Sequence, residues 1–105
     1  MHVLIVNFQL DGVTEEQYRG LCDEEAPAFA EVPGLVSKTY LADAGTGTYG
    51  GVYMWTDREA FQAFAASDLA AGVFNDPNLS NVTMRDFGVL EGPSAVTRGL
   101  VGAPA

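Results

Sequence analysis

The sequence predicts an α+β fold of ferredoxin-like βαββαβ order, with one four-stranded antiparallel sheet carrying both main helices on a single face. Three features point there. Residues 2–10 and 49–55 each alternate with apolar side chains on both sets, the pattern of strands buried on two faces. Each of these strands runs within a few residues into a helix-start signal. Two helices cover only one side of a sheet, so the bare side calls for a second copy of the chain packed sheet to sheet, a homodimeric α+β barrel.

In chain order, His2, Leu4, Val6, Phe8 and Leu10 alternate against Val3, Ile5, Asn7 and Gln9 to form the first strand. Asp11-Gly12 turns the chain. Thr14 and Gln17 then make a capping box, with Val13 and Tyr18 as its hydrophobic staple. Tyr18, Leu21, Cys22, Ala26, Phe29 and Ala30 form the apolar stripe of the helix, which Pro27 should kink, while the carboxylates of Glu24 and Glu25 read as a solvated face. Pro33-Gly34 ends the helix, and Leu35 to Ala42 form a strand with Val36, Lys38 and Tyr40 on one alternate set.

The segment 43–48 is the loop of a hairpin into the central strand, Tyr49 to Trp55. It contains a literal GxGxxG from Gly45 to Gly50, but between two strands no helix N-terminus follows to receive a pyrophosphate. Gly50 and Gly51 leave the strand backbone bare, which suits a bulge or a closely approaching neighbour or ligand. Thr56 or Asp57 caps the next helix, with Ala60, Phe61 and Phe64 at helical spacing, and Ser67-Asp68 caps a short one ending at Phe74. Val82 to Leu90 is the last strand. From Gly92 onward the residues are small, with no periodicity, so the reading is a domain over 1–92 and a tail over 93–105 that is disordered or laid over a partner.

A chain of 105 residues with 48% apolar and 18% charged residues is one globular domain. No run reaches the roughly 20 apolar residues of a membrane span, and no signal peptide opens the sequence, so the expected location is cytoplasmic. The net charge of -9, from 14 acidic against 5 basic residues, repels phosphate backbones and anionic lipid, which disfavours nucleic acid and membrane partners. A single cysteine, Cys22, leaves no internal disulfide and reads as a buried structural thiol among the apolar positions of the first helix.

Gly-Gly-Val-Tyr-Met-Trp-Thr-Asp-Arg-Glu-Ala at 50–60, Glu-Val-Pro-Gly-Leu-Val-Ser-Lys at 31–38 and Val-Thr-Met-Arg-Asp-Phe-Gly-Val-Leu at 82–90 resemble the YdhR-type monooxygenases of the dimeric α+β barrel superfamily, relatives of the antibiotic biosynthesis monooxygenases. The resemblance spans the chain to about Glu91. It implies oxygenation of an electron-rich, polyketide-like or phenolic hydrophobic molecule with no cofactor, neither metal nor flavin, the protein supplying a dry pocket and groups that steady an anion. Haem-degrading relatives need an axial histidine on the second helix, and residues 57–76 contain none.

The candidate catalytic residues are Asn7, Trp55 and Arg85. Asn7 is an amide in an apolar strand that either pairs with backbone or points at a ligand oxygen. Trp55 offers a flat wall and a donor. Arg85 and Lys38 are cations within strands, placed either to stabilise an enolate or phenolate or to serve as edge or dimer charges. Lys38, Tyr40, Tyr53, Phe61 and Phe87 are the candidate substrate-binding residues, lining a pocket between sheet and helices. His2, at a terminus expected to fray, is given no role. The two function classes are an oxygenase, or a related cyclase or isomerase, and a dimer that binds such a molecule without turning it over.

Overall fold

A computed structural model describes residues 1–103. Strand β1 (His2–Leu10) is followed by helix α1 (Glu15–Ala30), strands β2 (Leu35–Asp43) and β3 (Thr48–Trp55), helices α2 (Arg58–Ala65) and α3 (Asp68–Phe74), strand β4 (Leu79–Gly88) and a short helix α4 (Glu91–Val96). The strands form one antiparallel sheet in the order β2-β3-β1-β4. This is the ferredoxin-like α+β arrangement. None of the described helices is long and apolar enough to cross a membrane.

Local chemistry sets the helix starts. Thr14 accepts from the Gln17 amide while the Gln17 side chain accepts from Thr14, and Asp57 and Ser67 cap α2 and α3 in the same way with one bond each. Helix α1 runs on through Pro27 to Ala30. Its first turn is fastened to the sheet by Tyr49, whose hydroxyl donates to Glu15 at 3.0 Å.

Register fixes the two faces. His2, Leu4, Val6 and Phe8 stand opposite Trp55, Tyr53, Gly51 and Tyr49, and this set is buried beneath the helices with Phe29 of α1 and Phe64 of α2. Trp55, Phe29, Leu4 and Val6 are fully enclosed, each burial worth about 1.5–3 kcal/mol. Tyr53 stacks parallel to Trp55, and Phe64 packs 5.0 Å from the Trp55 ring. On the opposite face Val3, Ile5 and Asn7 of β1 lie beside Met54, Val52 and Gly50 of β3 and beside Phe87, Arg85 and Thr83 of β4. Among the described residues of that face Val3, Ile5, Val52 and Met54 stay half-buried and Phe87 is exposed, and Gly102 comes against Val36 of β2.

Four features differ from the sequence reading. Strand β4 begins at Leu79 rather than Val82, because Leu79 and Ser80 pair with Leu10 and Gln9 before Asn81, in a left-handed conformation at φ 53°, shifts the register. It also ends at Gly88, two residues before the expected Leu90. The segment after Gly92 is not featureless, since Pro93 sits in the first turn of α4, where its missing N–H costs no bond. His2 does not fray. It is 7% exposed, its Nε2 lies 2.6 Å from Asp86 Oδ2, and its ring stacks on Phe61 at 5.2 Å.

Of the two glycines that open β3, Gly50 is held at φ 153°, and a Cβ there would fall 1.9 Å from the Val6 carbonyl oxygen. The close neighbour is therefore β1 backbone. Gly50→Ala should lower the unfolding free energy by more than about 2 kcal/mol in urea denaturation, through strain and a backbone clash. Gly20→Ala, on an exposed turn of α1 with no atom near the new methyl, should raise it by up to about 1 kcal/mol.

Candidate functional site

Between α1, α3 and the helix-facing side of the sheet lies a cavity of about 90 Å³. Tyr18, Cys22 and Glu25 reach it from α1, Lys38 and Tyr53 form its floor, and Asp76 and Asn78 close it beyond α3. Gly50 and Gly51 make room for this floor. Gly51 lies under the Lys38 stem, where a Cβ would stand 3.3 Å from its Cε, so a larger residue would press on the lysine.

Lys38 dominates the cavity. Its side chain is 7% exposed, and its ammonium lies 3.5 Å from the centroid of the Phe29 ring, 4.1 Å from that of Tyr40 and 4.7 Å from that of Tyr53. Three aromatic faces therefore replace much of its hydration, each desolvated contact worth up to about 2 kcal/mol. The one carboxylate at hand is Glu25, with Oε1 3.6 Å away, close enough for attraction and too far for a strong hydrogen bond. Burial pushes the lysine pKa down to about 8, against the opposing pull of Glu25. Burial likewise raises the Glu25 pKa, with Lys38 opposing and Asp76 adding to the rise. Both partners thus move toward their neutral forms, because desolvation outweighs their mutual attraction.

The remaining polar groups stay protonated. Burial raises the phenols of Tyr18, Tyr40 and Tyr53 well above the usual range, Tyr18 further through its contact with Cys22 and the other two through the charge of Glu25. Burial also raises the Cys22 thiol. Tyr40 Oη and Trp55 Nε1 are enclosed with no hydrogen-bond partner among the described residues. The site combines hydrophobic walls, fixed neutral donors, one cation and the carboxylates of Glu25 and Asp76, a set suited to deprotonating a weak acid and holding its anion.

The structure divides the residues expected from the sequence. Lys38 and Tyr53 line the cavity, and Tyr40 lies behind it with its ring against the Lys38 ammonium. Trp55 and Phe61 share that face but lie toward the sheet end, Trp55 against Tyr53 and Phe64, and Phe61 against His2. Asn7, Arg85 and Phe87 project from the opposite face, around a depression of about 380 Å³ shared with Ile5 and Thr83. Asn7, Trp55 and Arg85 therefore do not converge on one pocket: the sheet stands between them, since odd positions of β1 alternate away from Phe8 and Val6. The Asn7 amide donates to the Tyr49 carbonyl at 3.4 Å, a backbone partner rather than a ligand. Glu25, read from the sequence as solvated, is the site residue that reading missed. It lies seven residues after Tyr18 and three after Cys22, on the same helical stripe, whereas Glu24 does not.

The chain matches the family model described as "Putative mono-oxygenase ydhR" over residues 3–100. Among curated proteins none matches. Among solved structures it is similar to SnoaB, a cofactor-independent oxygenase from Streptomyces nogalater, in a mutant form, at 25% identity and a TM-score of 0.67, covering 85% of this chain and 93% of that one. It is also similar to the monooxygenase from ActVA-Orf6 of Streptomyces coelicolor in complex with the ligand Nanaomycin D, at 23% identity and a TM-score of 0.66, with 84% and 86% covered. The heme-degrader MhuD from Mycobacterium tuberculosis, with two hemes bound in its active site, shares the fold at 22% identity and a TM-score of 0.69, with 86% and 96% covered.

Lys38 carries a stability signature. Its folded pKa of about 8 lies below the unfolded value of 10.5, so between these two pH values the unfolded chain binds more protons and stability rises with pH. Below pH 8 the full cost of the buried charge is present. The urea midpoint of the wild type relative to Lys38→Met should therefore climb from pH 8 toward pH 10, a difference in which the ionisation of Cys22 and of the tyrosines, common to both proteins, cancels. A flat difference would place the lysine in water.

Proposed function

The chain belongs to the ydhR mono-oxygenase family, and from that premise we propose that the cavity oxygenates a hydrophobic aromatic or polyketide-like molecule bearing an acidic phenol or enol, without a cofactor. The observation that carries the reading is the Glu25–Lys38 pair, 3.6 Å apart and enclosed by Phe29, Tyr40 and Tyr53. SnoaB, a cofactor-independent oxygenase, supports the reaction class, and ActVA-Orf6, seen with Nanaomycin D, the substrate class.

In this scheme Glu25 takes a proton from an activated CH₂ or phenolic O–H of the substrate. The resulting anion is held by the Lys38 ammonium and faces the aromatic walls, where exclusion of water strengthens every charge interaction. The electron-rich anion passes one electron to dioxygen, and the radical pair combines to a peroxide anion. Protonation gives a hydroperoxide, which loses water to leave a new carbonyl group. One oxygen atom ends in the product and the other in water, and the proton that Glu25 removed is returned. Tyr53 and Tyr18, which stay protonated, supply donors along the walls.

The test is incubation with anthrone under oxygen-18 gas and under nitrogen, with products followed by mass. We expect oxygen-dependent uptake of one labelled atom, with kcat/KM lowered at least about 100-fold in Glu25→Gln and in Lys38→Met, the scale of a lost general base or a lost anion partner. Asn7→Ala, on the far face, should retain turnover. Conversion under nitrogen would mean a cyclase or isomerase using the same proton transfer, and saturable binding with no product would mean a non-catalytic carrier.

The bare sheet face supports a second proposal, that the chain works as a homodimer joined sheet to sheet. Val3, Ile5, Val52, Met54 and Phe87 form an apolar surface there, and Phe87 is 50% exposed in the single chain. Light scattering on the eluted protein should give twice the chain mass, and Ile5→Glu, which places a charge at the centre of that face, should give one chain. A monomeric wild type would end the proposal.

A further inference from the structure

Lys38 is the single lysine of the chain, the other four bases being Arg19, Arg58, Arg85 and Arg98. It is placed at the floor of the cavity, not on the surface where lysines ordinarily stand. The other primary amine, at Met1, lies 3.1 Å from Glu91 Oε2, away from the cavity. Around Lys38 the chain sets the parts of an amine reaction centre: a caged nitrogen, a carboxyl group 3.6 Å away, and open space beside both.

We propose that Lys38 is a nucleophile that condenses with the aldehyde or ketone carbonyl of a small aromatic molecule, forming a Schiff base within this cavity. Transfer of a proton from the ammonium to Glu25 frees the amine lone pair. The nitrogen attacks the carbonyl carbon, a C–N bond forms, and one amine hydrogen moves to the oxygen to give a carbinolamine. Glu25 then gives its proton to the hydroxyl, the C–O bond breaks, and water leaves. The products are a protonated imine and a Glu25 carboxylate. No oxidant or reductant takes part. The new cation rests between the Phe29, Tyr40 and Tyr53 faces that held the ammonium, so the cage stabilises reactant and product charge alike.

Desolvation of a lysine is one of the established routes to an amine nucleophile. With a pKa near 8 the neutral fraction at neutral pH is roughly 300-fold that of an ordinary lysine at 10.5. The inference rests on reading the cavity as a small-molecule site but not on oxygen chemistry, since imine formation proceeds equally under nitrogen.

The full chain would be treated under nitrogen with benzaldehyde and sodium cyanoborohydride, beside an equal concentration of N-α-acetyl-lysine amide, and the labelled positions mapped by peptide mass. The expected result is one benzyl group on Lys38, introduced at least about tenfold faster than on the model amine, slowed in Glu25→Gln and absent from Lys38 when that residue is Arg. Prior addition of 2-naphthol should protect Lys38 in the wild type, a readout that needs no variant to fold. Labelling confined to Met1, labelling of Lys38 no faster than of the model amine, or labelling untouched by 2-naphthol would overturn the proposal. Labelling without anthrone oxidation would leave the inference standing and remove the oxygenase reading; oxidation without labelling would do the reverse.

Discussion

Alternation along β1 and β3 constrains the rest of the molecule. These strands occupy the centre of the sheet, and their side chains are apolar in both directions. Even positions of β1 and odd positions of β3 bury an aromatic layer beneath α1 and α2, and the opposite positions leave a second apolar surface that the single chain does not cover. A shift of one residue in either strand would exchange the two sets and expose Trp55 and Tyr53 to water, so the register is strongly specified. The faces taken by Asn7, Tyr53 and Trp55 follow from this parity.

The cavity is an interruption of that layer. Where β2 completes the helix face beside Tyr53, the chain places a lysine instead of an aliphatic residue and surrounds it with aromatic rings. A buried cation with one distant carboxylate is costly as structure, since a well-packed apolar residue of similar volume is commonly as stable or more so. The two buried donors without partners, Tyr40 Oη and Trp55 Nε1, belong to the same aromatic layer and carry the same kind of cost. Such costs concentrate where chemistry is performed, and perturbed ionisable groups facing a cavity are their usual mark.

The fold was legible in the sequence because its signals are local. The capping box at Thr14, the caps at Asp57 and Ser67, the turns at Gly12 and Gly34 and the alternation of β1 and β3 each act within a few residues, and the structure contains them all. What escaped depends on contacts remote in sequence. Leu79 joins β4 only because Leu10 stands beside it, and His2 is fixed by Asp86, 84 residues away. The site was half legible. Lys38, Tyr40 and Tyr53 gather as expected, and the separation of Asn7 from Trp55 was already written in the alternate sets of their strands once the helix-bearing face was known. Glu25 was overlooked because it stands beside Glu24 in an acidic run, although its seven-residue spacing from Tyr18 puts it on the apolar stripe and only the position of β2 reveals why.

The central claim is that a desolvated lysine faces a ligand cavity, and the single lysine of the chain allows it to be observed alone. With lysine labelled by carbon-13, the εCH₂ resonance should titrate as one signal near pH 8, and addition of 2-naphthol should shift that titration upward as the bound phenolate stabilises the ammonium. A midpoint near 10.5 that ignores the ligand would place Lys38 in solvent and contradict the site.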